Sequence, residues 1–262
     1  IIHGVKYEDV AIAIYEQRNR VNVKEYGCIP HPTIPFLGAS PDGICYYDSE
    51  NKEYIGRMLE IKCPKSRQLN GFVPEYYLAQ VQGQLEVCDL EYCDFLECNI
   101  EEVSEDDFFN NNHTSLNYYD NSKSISNYAN PSMEQGVLID TYCKVLGKNV
   151  YHYAPFEVCE TQESIKKWED EIIDKILADE NLDYNATKYW RLREYSIIFV
   201  KRDKPWFKRA HKKLEKCWNE ILHYREVGID KMETKTKNII VTEHDHKMFK
   251  KLIETSYTVD PI

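Results

Sequence analysis

An aspartate, a glutamate and a lysine occur close together in the segment LGASPDGICYYDSENKEYIGRMLEIKCPKSR, residues 37–67. Polar turn-forming residues separate two apolar runs within it, a pattern that predicts a β-hairpin. A turn centred in this polar stretch places Asp42 opposite residue 59, one position from Glu60. Alternate residues of a strand share a face, so Glu60 and Lys62 point together while Ile61 points into the core. The hairpin therefore collects two carboxylates and an ammonium.

Such a collection suits metal-assisted attack on phosphorus. Crowded carboxylates repel each other and stay ionised more readily beside a cation. Mg²⁺ takes oxygen ligands, typically one or two carboxylates with waters and phosphate oxygens. We expect Asp42 and Glu60 to hold Mg²⁺, with Mn²⁺ as a substitute and the Ile61 carbonyl as a further ligand. Lys62 then positions a water for in-line attack and offsets developing charge. The alternative is a surface hairpin whose charged residues are only solvated.

A third carboxylate lies on the first predicted helix, HGVKYEDVAIAIYEQRN. An unpaired carboxylate on an apolar face is unfavourable, so Glu8 needs a cation or a strong partner. A first-turn glutamate favoured by the helix dipole is the alternative. The residues that the helical spacing places on one face are Val5, Glu8, Ala11, Ile12 and Tyr15.

A second predicted helix, residues 75–87, contains the segment YYLAQVQGQLEV. Gln80 shares a face of this helix with Gly83 and Gln84, and these small and polar residues leave the face open to close approach. Taken alone, Gln80 is more typical of an exposed amide.

The remaining pattern predicts an α/β fold with a mixed central β-sheet flanked by helices, plus a C-terminal helical extension. We expect one domain over residues 1–262. Its parts are a motif core at about 3–100, a polar surface insertion at about 101–133, C-terminal strands and a basic helix at about 136–226, and a tail at 227–262. The predicted strands are 44–47, 54–62, 92–100, 137–144, 150–153 and 195–200, and the later predicted helices are 164–178 and 204–226.

The net charge is −11, but the charge is unevenly distributed. Residues 68–122 contain no Lys or Arg, whereas residues 188–216 contain eleven Lys or Arg and three acidic residues. This segregation predicts a basic groove for a phosphate backbone, although a solvated helix face gives the same pattern. The candidate DNA-binding residues are Arg67, Arg191, Arg193, Lys201, Arg202, Lys208, Arg209, Lys212 and Lys213.

Aromatic residues interleave the basic stretch. Tyr189, Trp190, Trp206 and Phe207 are candidates for stacking on a terminal base pair, and the alternative is that they anchor the core.

The cysteines and the apolar runs bear on location. The nine cysteines lack close CxxC pairs, so we expect free, buried thiols in a reducing, intracellular compartment, the host cytoplasm or nucleus if the protein is viral. No apolar run is long enough to span a bilayer, and no signal segment opens the chain. Because residue 1 is not Met, we expect it to be an internal position of a longer protein.

Four segments, HGVKYEDVA, GASPDGI, LEIKCP and YYLAQVQGQLEV, resemble in order and spacing the PD-(D/E)xK nuclease superfamily, specifically its YqaJ-type, phage lambda exonuclease-like viral recombinase branch. The resemblance implies a restriction-endonuclease-like core. It also implies that Glu8, Asp42 and Glu60 are metal ligands. Lys62 is then the catalytic lysine and Gln80 the active-site glutamine. The segment YWRLREYSIIFVKRDKPWF is similar to versions from large DNA viruses of eukaryotes.

We therefore expect a magnesium-dependent 5′-to-3′ exonuclease acting on duplex DNA ends in viral recombination or repair. A strand-annealing protein and further copies of the chain are expected partners, and a membrane is not. A structure-specific or nicking endonuclease, or a catalytically silent nucleic-acid-binding module, are the alternatives. The chain has no GxSxG elbow and no GxxxxGK[ST] loop, which argues against serine hydrolases and nucleotide-hydrolysing motors.

Overall fold

The structure is a computed structural model that describes residues 2–110, 117–120 and 134–228. The chain divides into two compact units, Ile1–Asp203 and Lys204–Ile262. The first unit contains a large β-sheet, and the described part of the second is one helix. The assignment of a single domain to residues 1–262 stays a prediction.

The helices and strands follow the predicted order along the chain. The helices are α1 (Ile2–Asn19), α2 (Glu75–Val87), α3 (Glu105–Phe109), α4 (Gln162–Ala178) and α5 (Lys204–Val227). The strands are β1 (Val23–Lys24), β2 (Ile29–Pro30), β3 (Gly38–Ala39), β4 (Gly43–Cys45), β5 (Met58–Lys62), β6 (Tyr92–Val103), β7 (Asn117–Asp120), β8 (Gln135–Cys143), β9 (Lys148–Tyr153) and β10 (Leu182–Lys201).

The large sheet has the strand order β1-β4-β5-β6-β10-β8-β9, with β7 beside β10, and β2 and β3 form a separate pair. β5 pairs with β6, and β7 with β10, in parallel. The other neighbours in the large sheet are antiparallel. The predicted α/β class with a mixed central sheet flanked by helices is therefore confirmed.

The predicted hairpin is present, with a register one residue from the expected one. Gly43 pairs with Leu59, so continuing the ladder places Asp42 opposite Glu60. The strands are shorter than predicted because a 3₁₀ turn at Lys52–Tyr54 occupies the connection. The shift brings the two carboxylates into direct opposition.

The helices α1 and α2 pack on opposite faces of the sheet. Successive residues of β5 point to opposite sides, and each side contacts a different helix. Leu59 and Ile61 belong to the apolar cluster that includes α1, whereas Met58 belongs to the cluster that includes α2. Glu60 points to the same side as Met58 and contacts α2. The carboxylate thus lies between the sheet and the second helix.

The buried side of α1 differs from the predicted stripe. Val5 is 59% exposed and Ile12 only partly buried, so the core-facing stripe is rotated relative to the expected one. Glu8 lies at its margin and is partly buried. The hydrophobic side chains that α1 buries are Tyr7, Val10, Ala11, Ile14 and Tyr15.

The C-terminal part of the sheet is more extensive than predicted. β10 is a 20-residue strand that lies between β6 and β8, whereas the sequence predicted only residues 195–200. Its polar first half obscures the strand pattern, and register shifts interrupt both pairings. Tyr189 and Trp190 are buried in this strand, which favours the alternative that they anchor the core over the possibility that they stack on DNA.

The predicted polar insertion at 101–133 is described only in part. β6 continues into it, and α3 buries Phe108 against Tyr189, so its beginning belongs to the core rather than to a surface loop. Residues 111–116 and 121–133, and the tail beyond residue 228, lie outside the described residues.

The nine cysteines are all free. Cys45, Cys93 and Cys98 are buried as expected, whereas Cys28 and Cys217 are exposed, a correction to the expectation of buried thiols. None of the described helices is both long and apolar enough to cross a membrane.

A buried carboxylate of the sheet, that of Asp94, contacts both α1 and an arginine. Asp94 of β6 is completely buried and accepts hydrogen bonds from Arg57 Nη1 at 3.3 Å and from the Tyr15 hydroxyl at 2.7 Å. The Arg57 guanidinium also lies over the rings of Tyr54 and Phe199. These contacts hold three parts of the fold together: helix α1, the residue that precedes β5, and strand β6.

We predict that Arg57→Met lowers the free energy of unfolding by about 3–5 kcal/mol, because it leaves the Asp94 carboxylate buried without its cation. Urea denaturation followed by circular dichroism measures this change. Lys167→Met is the matched control, because Lys167 is 79% exposed and makes only a 4.0 Å surface pair with Glu171. Equal stability of the two variants would contradict the structural role of the pair.

Candidate active site

Asp42 and Ile61 are joined across the hairpin. Asp42 lies immediately before β4, and its Oδ2 accepts a hydrogen bond from the Ile61 backbone N–H at 2.6 Å. Because Ile61 directs its side chain into the core, its backbone is held firmly beside the carboxylate. Burial, followed by the charge of Glu60, raises the pKa of Asp42 to about 7, although the Ile61 N–H opposes the shift.

Glu60 is completely buried and accepts hydrogen bonds from side chains of two elements. Its Oε1 accepts from Lys62 Nζ and from Gln80 Nε2, the latter at 2.7 Å. Its Oε2 accepts from Gln84 Nε2 at 2.7 Å. The lysine of β5 and the two glutamines of α2 therefore fix the orientation of this carboxylate.

Lys62 remains a cation in this environment. Burial lowers the pKa of the Lys62 ammonium, but the charge of Glu60 and the hydrogen bond to it outweigh burial and leave the pKa above its ordinary value. The Nζ atom also lies 4.9 Å from the ring centroid of Tyr77. Lys62 can therefore supply positive charge and hydrogen-bond donors at the site.

Glu8 lies close enough to interact with the same group. Burial, followed by the carboxylates of Asp9 and Glu25, raises the pKa of Glu8, while Lys62 lowers it and Glu60 raises it further. The structure thus brings together the side chains of Asp42, Glu60, Lys62 and Gln80, and Glu8 lies within electrostatic range of them.

A divalent cation is the group that this donor set implies, and the chemistry of the donors fits it. Across residues 2–110, 117–120 and 134–228, no three or more His, Cys, Asp or Glu side chains are grouped so that they could hold a metal ion. Mg²⁺ commonly uses only one or two carboxylates, with waters and phosphate oxygens completing the shell. Asp42 and Glu60 provide that number. Glu8 and the Ile61 carbonyl as additional ligands stay predictions.

The predicted DNA-binding residues of the first unit differ in their exposure and in their ion pairs within the protein. Arg67 is 38% exposed and forms an ion pair with buried Glu97. Arg193 pairs with Glu101, and Lys201 is exposed.

Two other arginines serve the fold, which corrects their assignment to phosphate contacts. Arg191 is 7% exposed and donates to the carbonyls of Asp107 and Phe108. The Arg202 side chain is 6% exposed and pairs with Glu86 and Asp89.

The basic residues of α5 belong to the second unit. Their side chains are exposed, in agreement with either a nucleic-acid contact or a solvated face. These residues are Lys208, Arg209, Lys212 and Lys213.

A cleft of about 750 Å³ lies beyond the end of β5. Residues of α1, of the segment after β5, of β6 and of β10 line it, and none of them is a predicted catalytic residue. Lys65 and Arg193 contribute positive charge, while Glu101, Glu102 and Glu194 contribute negative charge. The lining of this cleft is therefore mixed in charge, and the basic groove expected from residues 188–216 stays a prediction.

The sequence analysis missed several contacts around Glu60. Gln84 was placed on the face of Gln80 but given no role, although the spacing of four residues on a helix already places both amides together. Tyr77 lies beside Lys62, and Glu97 holds Arg67. No local sequence pattern indicates these last two contacts, since they join residues of different elements.

Comparisons with known proteins agree with the motif order. The model of the YqaJ-like viral recombinase domain matches residues 1–91. An uncharacterized protein of Acanthamoeba polyphaga mimivirus is 33% identical over 268 residues, which cover 93% of this chain and 47% of that protein. The chain therefore spans about half the length of this curated relative.

Two solved structures overlap part of the chain. They are the alkaline exonuclease LHK-Exo from Laribacter hongkongensis, 20% identical over 66% of this chain and 68% of that one, and LHK-Exo in complex with dAMP, 19% identical over 66% and 67%. The TM-score is 0.30 in both comparisons, which does not establish a shared arrangement.

The family match and the site geometry fall on the same part of the chain. Hairpin β4–β5 and helices α1 and α2 supply every predicted catalytic side chain and metal ligand, and all of them lie before residue 91. The residues of the candidate site therefore fall within residues 1–91, the part of the chain that is similar to the YqaJ-like viral recombinase domain.

Proposed function

We propose that this protein is a magnesium-dependent deoxyribonuclease that hydrolyses duplex DNA from its ends in the 5′-to-3′ direction. The observation that carries the proposal is the opposition of Asp42 and Glu60 across the hairpin, with Lys62 hydrogen-bonded to the buried glutamate. A surface hairpin would not bury a glutamate completely and surround it with an ammonium and two amides. This arrangement supports a catalytic role over a solvated surface.

Asp42 and Glu60 would hold the cation, and Glu8 would add negative charge. A bound Mg²⁺ would act as a Lewis acid on a phosphate oxygen and activate a water at neutral pH. Gln84 binds one oxygen of Glu60 and Gln80 the other, so the carboxylate cannot rotate away. Glu60 Oε2 accepts from Gln84 and keeps a second lone pair for a further partner.

Lys62 would act through charge and hydrogen bonding. Its ammonium would orient a water toward phosphorus and would stabilise the negative charge that develops on the phosphoryl oxygens. The hydrogen bond to Glu60 holds the flexible lysine side chain in place before substrate arrives. Pre-positioning of this kind reduces the reorganisation that the reaction requires.

A role in viral DNA recombination is supported by the family match and by the mimivirus relative. A strand-annealing protein would use the single strand that digestion exposes. Assembly with further copies of the chain, and a location in the host cytoplasm or nucleus, are parts of the same proposal.

We predict that Asp42→Asn, Glu60→Gln and Lys62→Ala each remove nearly all cleavage of linear duplex DNA, while duplex binding in Ca²⁺ persists. Each substitution changes the charge of the site without removing apolar core. Gel analysis of cleavage in Mg²⁺ and fluorescence anisotropy in Ca²⁺ measure the two properties. Glu171→Gln, on the exposed face of α4, is the matched control and retains wild-type cleavage. Wild-type turnover in any of the three site variants would refute the assignment.

We predict that Mg²⁺ or Mn²⁺ alone raises the melting temperature of the wild-type chain, because a ligand that binds only the folded state stabilises it. Asp42→Asn abolishes this rise, and Glu8→Gln shifts it to higher Mg²⁺ concentration because one ligand charge is lost. A thermal-shift titration measures both effects without any turnover. An unchanged titration for Glu8→Gln would remove Glu8 from the metal site.

The requirement for a free DNA end is tested with DNA topology. We predict release of 5′-mononucleotides from linear duplex, preference for 5′-phosphorylated ends, and little action on covalently closed circles in the same magnesium buffer. Chromatography of the products and gel analysis of the circles provide the measurements. Rapid linearisation of closed circles would favour an endonuclease and leave the roles of Asp42, Glu60 and Lys62 intact.

A further inference from the structure

Two aromatic side chains that lie between β5 and the first turn of α2 in the chain are largely exposed. Phe72 is 73% exposed and Tyr76 is 65% exposed, on the segment before α2 and on its first turn. Single exposed apolar residues are common on protein surfaces and need no explanation. These two differ because they lie only four residues apart and flank the beginning of the helix that carries Gln80 and Gln84.

The position of Tyr76 relative to the site is given by two ring contacts. Lys62 Nζ lies 4.9 Å from the ring centroid of Tyr77, and the rings of Tyr77 and Tyr76 have centroids 4.2 Å apart. Tyr77 also packs against Phe95 of β6, with centroids 5.6 Å apart. One anchored ring therefore separates the catalytic ammonium from the exposed ring of Tyr76.

Phe72 is held outward by contacts on both sides of it. Before it, the Leu69 N–H donates to Glu194 Oε2 at 3.1 Å, and the Leu69 side chain is buried. After it, Val73 packs against the apolar cluster beneath α2. Because its neighbours on both sides are fixed, Phe72 cannot turn inward without disturbing the core.

The charges around these rings indicate the chemistry of their partner. Arg67, which is 38% exposed, lies near the phenol groups of both Tyr76 and Tyr77. Lys65 on the same segment is exposed, and Lys62 lies behind Tyr77. Exposed rings next to cations match a ligand with flat apolar faces joined by a negatively charged backbone, which is single-stranded nucleic acid.

We propose that Phe72 and Tyr76 form an aromatic platform that stacks on unpaired nucleobases at the end of the DNA while the backbone passes Lys62. The proposal deepens the proposed function and rests on it. The platform would supply the base-stacking role for which Tyr189 and Trp190 were candidates, because those two side chains are buried in the core. It would hold the frayed strand after the first base pair opens, so that the phosphate reaches Asp42 and Glu60.

The experiment compares two DNA ends that differ only in their bases. One duplex carries a short unpaired thymidine run at its 5′ end, and the other carries abasic sugars at the same positions. The dissociation constants of the full chain are measured by fluorescence anisotropy in Ca²⁺. The wild-type chain should bind the base-bearing end about 5- to 100-fold more tightly, which is the affinity that ring–base stacking provides.

Tyr76→Leu and Phe72→Leu should each reduce this ratio by about fivefold or more, with no change in binding of the abasic end. Tyr76→Phe should retain the wild-type ratio because it keeps the ring. Tyr47→Leu is the matched control, because Tyr47 is 66% exposed and follows β4, whereas Asp42 precedes it. Both mutated side chains are exposed, and unchanged melting temperatures would verify that the variants fold.

The outcomes separate the platform from the proposed function. A ratio that is the same in wild type, Tyr76→Leu and Phe72→Leu, with DNA binding intact, overturns the platform alone and leaves these rings to a protein partner. Absence of DNA binding by the wild-type chain overturns both proposals. Loss of affinity for the abasic end in the leucine variants would also overturn base stacking.

Discussion

The arrangement of the site depends on the complete burial of one carboxylate, that of Glu60. A buried carboxylate requires several hydrogen-bond donors, and here they come from Lys62 on the same strand and from Gln80 and Gln84 on α2. Satisfying this one group therefore fixes the position of the lysine and the rotation of the helix. The register of the hairpin then brings Asp42 to the opposite side of the same group.

The surrounding fold keeps these elements in place with two separate apolar clusters. Leu59 and Ile61 hold β5 against α1, while Met58 holds it against α2. Because strand residues alternate, the same five-residue strand can be anchored on both faces and still present Glu60 and Lys62. The hydrogen bond from the Tyr15 hydroxyl of α1 to buried Asp94 ties α1 to β6, and α1 carries Glu8.

Charge at this site is balanced only in part by the protein. Burial and the proximity of Glu60 raise the pKa of Asp42 to about 7, and burial raises the pKa of Glu8. Lys62 is the cation that contacts Glu60 directly. Folding of the core places these carboxylates close together, and a divalent cation is a group that neutralises such negative charge.

The sequence by itself determined the local elements and the identity of the site residues. Helices α1 and α2, the β4–β5 hairpin and the presence of Asp42, Glu60 and Lys62 on it follow from periodicities of a few residues, which short-range geometry controls. Tertiary structure alone decided the exact register, the rotation of α1, the burial of Tyr189 and Trp190, and the pairing of Arg67 with Glu97. These features depend on which distant elements pack together, and no short-range pattern contains that information.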